Sequence, residues 1–226
     1  MSVLLLRLAG PLQSWGDSSR FTVRDTQPEP TKSGVLGLLA SAQGRRRTDP
    51  IEDLASLRFG VRVDQQGRRM RDFHTAEGAP LSNRYYLTDA VFLAAVEGDP
   101  TLLESLHQAL LRPQFPLFLG RRSCPTTGRL SLGVIDGDLE SVLRSCPWQA
   151  AEWYRRSQGR TVLLPIVLDA PPHAEGHIDR RPDVPISFSR ERRLYGWRGV
   201  QRPAPVAIDN PVGHDEVDFF AAAGGF

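Results

Sequence analysis

Lysine is almost missing from this chain: of its 28 lysines and arginines, only Lys32 is lysine. Long hydrophobic runs are missing too. The opening VLLLRLAG falls far short of the roughly 20 apolar residues that span a bilayer, and no basic segment precedes it, so a soluble cytoplasmic protein without a membrane partner is expected. Cysteine is confined to Cys124 and Cys146, neither in a CxxC pair, which argues against a disulfide framework and thiolate zinc sites. The five histidines show no zinc spacing, and no carboxylate cluster suits a two-metal nuclease, so no cofactor is expected. PTKSG, Pro30 to Gly34, lacks the glycines of a GxxxxGK[ST] loop, which argues against a nucleotide triphosphatase.

What is present is arginine, in a chain of 226 residues with a net charge of only +2. Arginine grips phosphate bidentately and stacks on bases, although a GC-rich genome gives the same bias. The clusters are more informative: 45–47, 68–71, 121–122, 155–156 and 190–193. They either converge on one groove or form separate solvated loops.

Hydrophobic patterning predicts a first strand over Val3 to Ala9, then a helix from near Thr31 to Ser33. Val35, Leu38, Leu39 and Ala42 recur on one face of that helix, and Gly44 closes it. Leu57, Phe59, Val61 and Val63 alternate with Arg58, Gly60, Arg62 and Asp64, predicting a half-buried strand with an arginine-bearing outer face. The polar stretch Gln65 to Asn83, with Gly67, Gly78 and Pro80, reads as a projecting hairpin or binding loop. A longer strand over Arg84 to Val96 is interrupted at Thr88-Asp89. Asp99 and Pro100 then suit the start of a second helix, and Leu130, Leu132 and Val134 make a fourth strand.

This βαββαβ order predicts an α+β, ferredoxin-like (RRM-like) domain over about residues 1–135, with a hairpin insertion at about 65–90. Residues 136–226 are expected to form a smaller β-rich region packing on it, with a mobile tail at 221–226. Helices on one sheet face would leave the other free for a partner, as in RNA-recognition modules.

Candidate contacts follow from local chemistry. Thr31, Lys32 and Ser33 open a helix, where N–H groups and the dipole favour a phosphate; an ordinary N-cap with a solvated lysine is the alternative. LFLGRRSCPTTGRLSLG, Leu117 to Gly133, bends at Gly120 and Gly128 and offers the cationic forks of Arg121, Arg122 and Arg129. MRDFHT places Arg71 and His74 in the central stretch, where His74 with Arg71 and Tyr85 or Tyr86 is a conceivable metal-independent endoribonuclease set. Trp15, Phe21, Phe73, Tyr195 and Trp197 are available to stack bases, with core packing the better expectation for Trp15.

LRLAGPLQSWG, PTKSGVLGLLA, RDFHT and LGRRSCP together resemble the CasD subunits of Cascade, the type I-E CRISPR interference complex, within the RAMP superfamily. The resemblance is specific over about the first 135 residues and looser beyond, where FSRERRLYGWRG carries it. It implies a ferredoxin-like fold and a non-catalytic, RNA-binding antiviral role: holding the 5′ handle of CRISPR RNA and capping the backbone subunits beside the large PAM-reading subunit. Target DNA would be met only indirectly. Thr31, Lys32, Ser33, Arg71, His74, Arg121, Arg122 and Ser123 are the expected RNA contacts. A related branch cleaves repeat RNA with tyrosine, lysine and histidine; this chain has no adjacent Lys-His pair.

Overall fold

The computed structural model describes residues 1–16, 23–76, 79–171, 173–189 and 191–214. Phe21, Gly78, Arg190 and the tail at 221–226 lie outside the described residues. The chain runs β1 (Ser2–Ala9), β2 (Leu12–Gln13), β3 (Val23–Arg24), α1 (Lys32–Ala42), α2 (Glu52–Ala55) and β4 (Arg58–Gln65). Next come β5 (Arg68–Ala76), β6 (Ala79–Thr88), β7 (Val91–Gly98), α3 (Pro100–Leu111) and β8 (Ser131–Asp136). The remainder is α4 (Leu139–Ser145), α5 (Glu152–Arg156), β9 (Thr161–Leu164), β10 (Ile166–Asp169), β11 (Asp179–Ser187), β12 (Leu194–Gln201) and β13 (Val206–Asp209).

This is a mixed α+β protein dominated by one seven-stranded sheet, ordered β11-β12-β10-β4-β7-β1-β8. β1 is apolar on both faces because it pairs with β7 and β8 and is covered on both sides. Leu4, Leu6 and Leu8 meet the buried face of α1 and Leu103, Leu106 and Leu110 of α3. Thr31 caps α1 by accepting from the Gly34 N–H at 3.3 Å, and Asp99 caps α3 by accepting from the Leu102 N–H at 3.0 Å. Asp99→Ala is expected to cost about 1 kcal/mol and lower the thermal midpoint by about 2–4 °C in a melting curve.

The second sheet face is not free. Val3, Leu5, Leu93 and Ala95 point there, and Leu139, Val142 and Leu143 of α4 cover them. Apolar residues on alternate positions of central strands require such a cover. The same cover overturns the solvated outer face expected for β4: Arg62 and Asp64 are 0% and 1% exposed. They form a bidentate pair, Nε to Oδ1 at 2.7 Å and Nη2 to Oδ2 at 2.9 Å.

Other expected elements divide where the backbone must turn. The strand over Arg84 to Val96 is two, β6 and β7, separated at Asp89 with φ +55°. In the β-rich region expected after residue 136, β9 and β10 are separated at Pro165, which sends β10 into the main sheet and β9 into a pair with β13. β5 and β6 form the hairpin of the polar central stretch. Beyond residue 136 the chain both adds three strands to the main sheet and builds a small cluster around Trp148, Ala150 and Leu164.

Candidate nucleic-acid interface

Small residues on α1 create a cleft. Gly34, Gly37 and Ser41 recur every three to four positions, so no bulky side chain rises from that face. Gly34 is required by Trp15: a Cβ there would come within 2.8 Å of the indole. Trp15 is 1% exposed and donates from Nε1 to Gln13 Oε1 at 3.1 Å, so it forms cleft wall and core together.

The cleft holds about 200 Å³ and is lined from four separated segments. Ser14, Trp15 and Gly16 come from the first; Thr31, Ser33 and the small face of α1 from the second. Phe118 and Gly120 belong to the turn after α3, and Phe188, Arg193 and Tyr195 to the tip of the β11–β12 hairpin. Arg45, Arg46 and Arg47 complete it. Arg45 is bound to Asp53, whereas Arg46 and Arg47 are exposed and their side chains have no carboxylate partner among the described residues. Among the described residues no acidic side chain lines this cleft, so its arginines favour an anion there.

The structure separates the expected contacts. Ser33 lines the cleft, and Arg122 and Ser123 are exposed on the turn beside it. Arg121 instead braces that turn: Nη1 donates to Tyr85 O at 3.1 Å and Nη2 to Arg24 O at 2.8 Å, with the guanidinium 4.7 Å from the Tyr86 ring. Lys32 is corrected most plainly. It is 5% exposed, with Nζ 2.9 Å from Asp169 Oδ2 and its N–H donating to Asp183 Oδ2 at 2.9 Å. The helix mouth is therefore closed by the protein's own carboxylate, and Thr31 is consumed in capping.

Arg71 and His74 lie on β5, away from the cleft. Strand residues three apart face opposite sides, so His74 is not on the face shared by Arg71 and Tyr85. Tyr86 is buried at 2% exposure, and the conceivable cleavage set does not assemble. His74 Nε2 lies 2.5 Å from Asp72 Oδ2 but makes no hydrogen bond of proper geometry. The other hairpin face stacks Arg69 on Tyr85 at 4.2 Å and Arg71 on the exposed Phe73 at 4.6 Å. Burial pushes the Cys124 and Cys146 thiols above their ordinary pKa, which removes both as nucleophiles at neutral pH. Among the described residues no His, Cys, Asp or Glu group of metal-binding size is present, and no helix is long and apolar enough to cross a membrane.

Arg46, Arg47, Phe118, Phe188 and Arg193 were not among the expected contacts, whereas Tyr195, a base-stacking candidate from the sequence, does line the cleft. The glycine and serine spacing on α1 was the available signal, because it marks a helix face built for close approach rather than for core.

Fold and cleft define a mixed α+β protein with an arginine-lined groove assembled from distant segments. A family model described as CRISPR-associated protein (Cas_Cas5) matches residues 3–201. The CRISPR system Cascade subunit CasD of Escherichia coli (strain K12) is 39% identical, over 58% of this chain and 70% of the relative. A crystal structure of a Cas protein is 39% identical with a TM-score of 0.71, over 94% of this chain and 98% of that one. A chain of a CRISPR RNA-guided surveillance complex is 32% identical with a TM-score of 0.75, over 97% and 96%. The chain belongs to the CRISPR-associated Cas5 family, in agreement with the CasD resemblance of its motifs.

Proposed function

We propose that this chain is a non-catalytic, RNA-binding subunit of a cytoplasmic CRISPR interference complex of the Cascade type. It holds the 5′ handle of the CRISPR RNA and caps the row of backbone subunits next to the large PAM-reading subunit. One observation carries the reading: the PLQSWG, PTKSG, LGRRSCP and FSRERRLYG segments meet at a single cleft that has no acidic lining among the described residues. Arginine and aromatic side chains together suit single-stranded RNA, whose phosphates and unstacked bases they engage at once.

Within this reading, residues 1–135 form a ferredoxin-like palm, and β5–β6 is the hairpin that bridges to a backbone subunit. The order β8-β1-β7-β4, antiparallel throughout, with α1 and α3 against one face, supports the palm. The handle contacts are Arg122 and Ser123 on the turn and Ser33, Arg46, Arg47 and Arg193 in the cleft. Arg71 and His74 contribute from the hairpin, while Thr31, Lys32 and Arg121 hold the framework.

The test is handle binding by the full chain. Arg122→Ala is expected to weaken binding of a synthetic handle RNA and to reduce the slope of log K against log salt by about one. Unchanged affinity and slope remove Arg122 from the interface. Specific cleavage of labelled repeat RNA in EDTA, lost in His74→Ala, would overturn the non-catalytic reading.

A further inference from the structure

The β11–β12 hairpin is only half supported by the sheet. β12 pairs with β10 at Leu168↔Gln201 and Asp169↔Val200, and Ala170 N–H donates to Gly199 O at 2.9 Å. From Arg198 toward Leu194 no ladder partner but β11 follows among the described residues, yet this half carries Arg193 and Tyr195 to the cleft. β11 contains Pro182 and Pro185, which lack N–H donors. Something other than strand pairing must fix the overhang over α1.

A buried charge cluster lies at that point. Arg198 grips Asp183 through Nε to Oδ1 at 2.6 Å and Nη2 to Oδ2 at 2.9 Å, and its Nη1 reaches Asp169. Asp183 also receives the Lys32 N–H, Asp169 receives Lys32 Nζ at 2.9 Å, and the Phe59 N–H donates to Asp169 at 3.0 Å. Burial works against the Arg198 charge, but Asp183 and Asp169 outweigh it and hold its pKa above the ordinary arginine value. One carboxylate thus ends α1 and anchors the overhanging strands.

We infer that Lys32, Asp169, Asp183 and Arg198 form a latch that positions the β11–β12 tip, and so sets Arg193 and Tyr195 against Arg46 and Arg47 across the cleft. They are positioning residues and do not touch the RNA. The inference rests on the cleft being the handle site. It explains why the one lysine sits at the mouth of α1: its ammonium meets Asp169 while its N–H meets Asp183.

Asp183→Asn is the test, read in two ways on the full chain. In the free protein, amides of Val184, Ile186, Ser187 and 194–198 are expected to exchange at least about tenfold faster while those of β1, β4 and β7 are unchanged. With synthetic handle RNA, affinity is expected to fall about tenfold with a salt slope lower by about one. The loss should not add to that of Arg193→Ala, because both remove one contact. Additive losses, or unchanged exchange in the hairpin, overturn the latch. If Asp183→Asn fails to fold, Lys32→Met with Asp169→Asn removes one cation and one anion together and is read the same way. Faster hairpin exchange in Asp183→Asn, together with a wild-type chain that binds no handle RNA, would leave the latch standing and sink the handle reading.

Discussion

Arg62→Met is expected to lower the unfolding free energy by about 3–5 kcal/mol, read from denaturant midpoints. Besides Asp64, the guanidinium donates to Leu143 O and Cys146 O, both at 2.6 Å, and to Pro147 O at 3.0 Å. Methionine fills much of the volume but satisfies none of these acceptors. The Asp64 carboxylate would keep the Gln149 N–H at 2.6 Å and lose its cation, and unpaired buried charge is the costly outcome. Arg62→Met with Asp64→Leu is therefore expected to recover part of the loss despite removing more polar contacts. A single-variant loss under about 1 kcal/mol would show that the pair does not hold the cover on the sheet. The consequence reaches the fold, since these bonds tie β4 to the segment after α4 that closes the second sheet face.

Much of the framework was legible because local signals and burial agree there. Asp99-Pro100 capped α3, Thr31 capped α1, and the apolar face of α1 is buried as its spacing required. β4 misled because alternation reports which residues differ, not whether both faces are covered. Only α4, far along the chain, makes Arg62 an interior residue. The site was legible as segments but not as a place. Gly120, Ser33 and Trp15 lie in motifs visible in the sequence, whereas their meeting with Arg193 and Tyr195 depends on tertiary packing of β11–β12 over α1. Lys32 shows the limit most sharply: a lone cation at a helix start reads as an anion site until Asp183 and Asp169 arrive from more than a hundred residues away.

Gly120→Ala is expected to cost about 3 kcal/mol or more and to weaken handle binding at least as much as Arg122→Ala. Gly120 has φ +83°, and a Cβ there would sit 1.7 Å from Ser14 O, a backbone atom that cannot swing aside. Either the turn or the 13–16 segment must move. The turn is closed by Leu119 N–H to Cys124 O at 2.7 Å and joined to the first loop by Ser14 N–H to Leu119 O at 3.1 Å. Both segments bear on the cleft, so the displacement reaches Arg122 and the Trp15 wall together. Gly128, at the other end of the same arginine-bearing stretch, is the control. It has φ +71° but nothing within 4 Å of its would-be Cβ, so Gly128→Ala should carry only the left-handed penalty of about 1–2 kcal/mol and leave RNA binding intact. Equal losses in the two variants, by denaturant midpoint and by handle affinity, would mean that backbone conformation alone sets the cost. Unequal losses of the expected order assign the difference to the contact between Gly120 and Ser14, which fixes the turn carrying Arg122 against the first wall of the cleft.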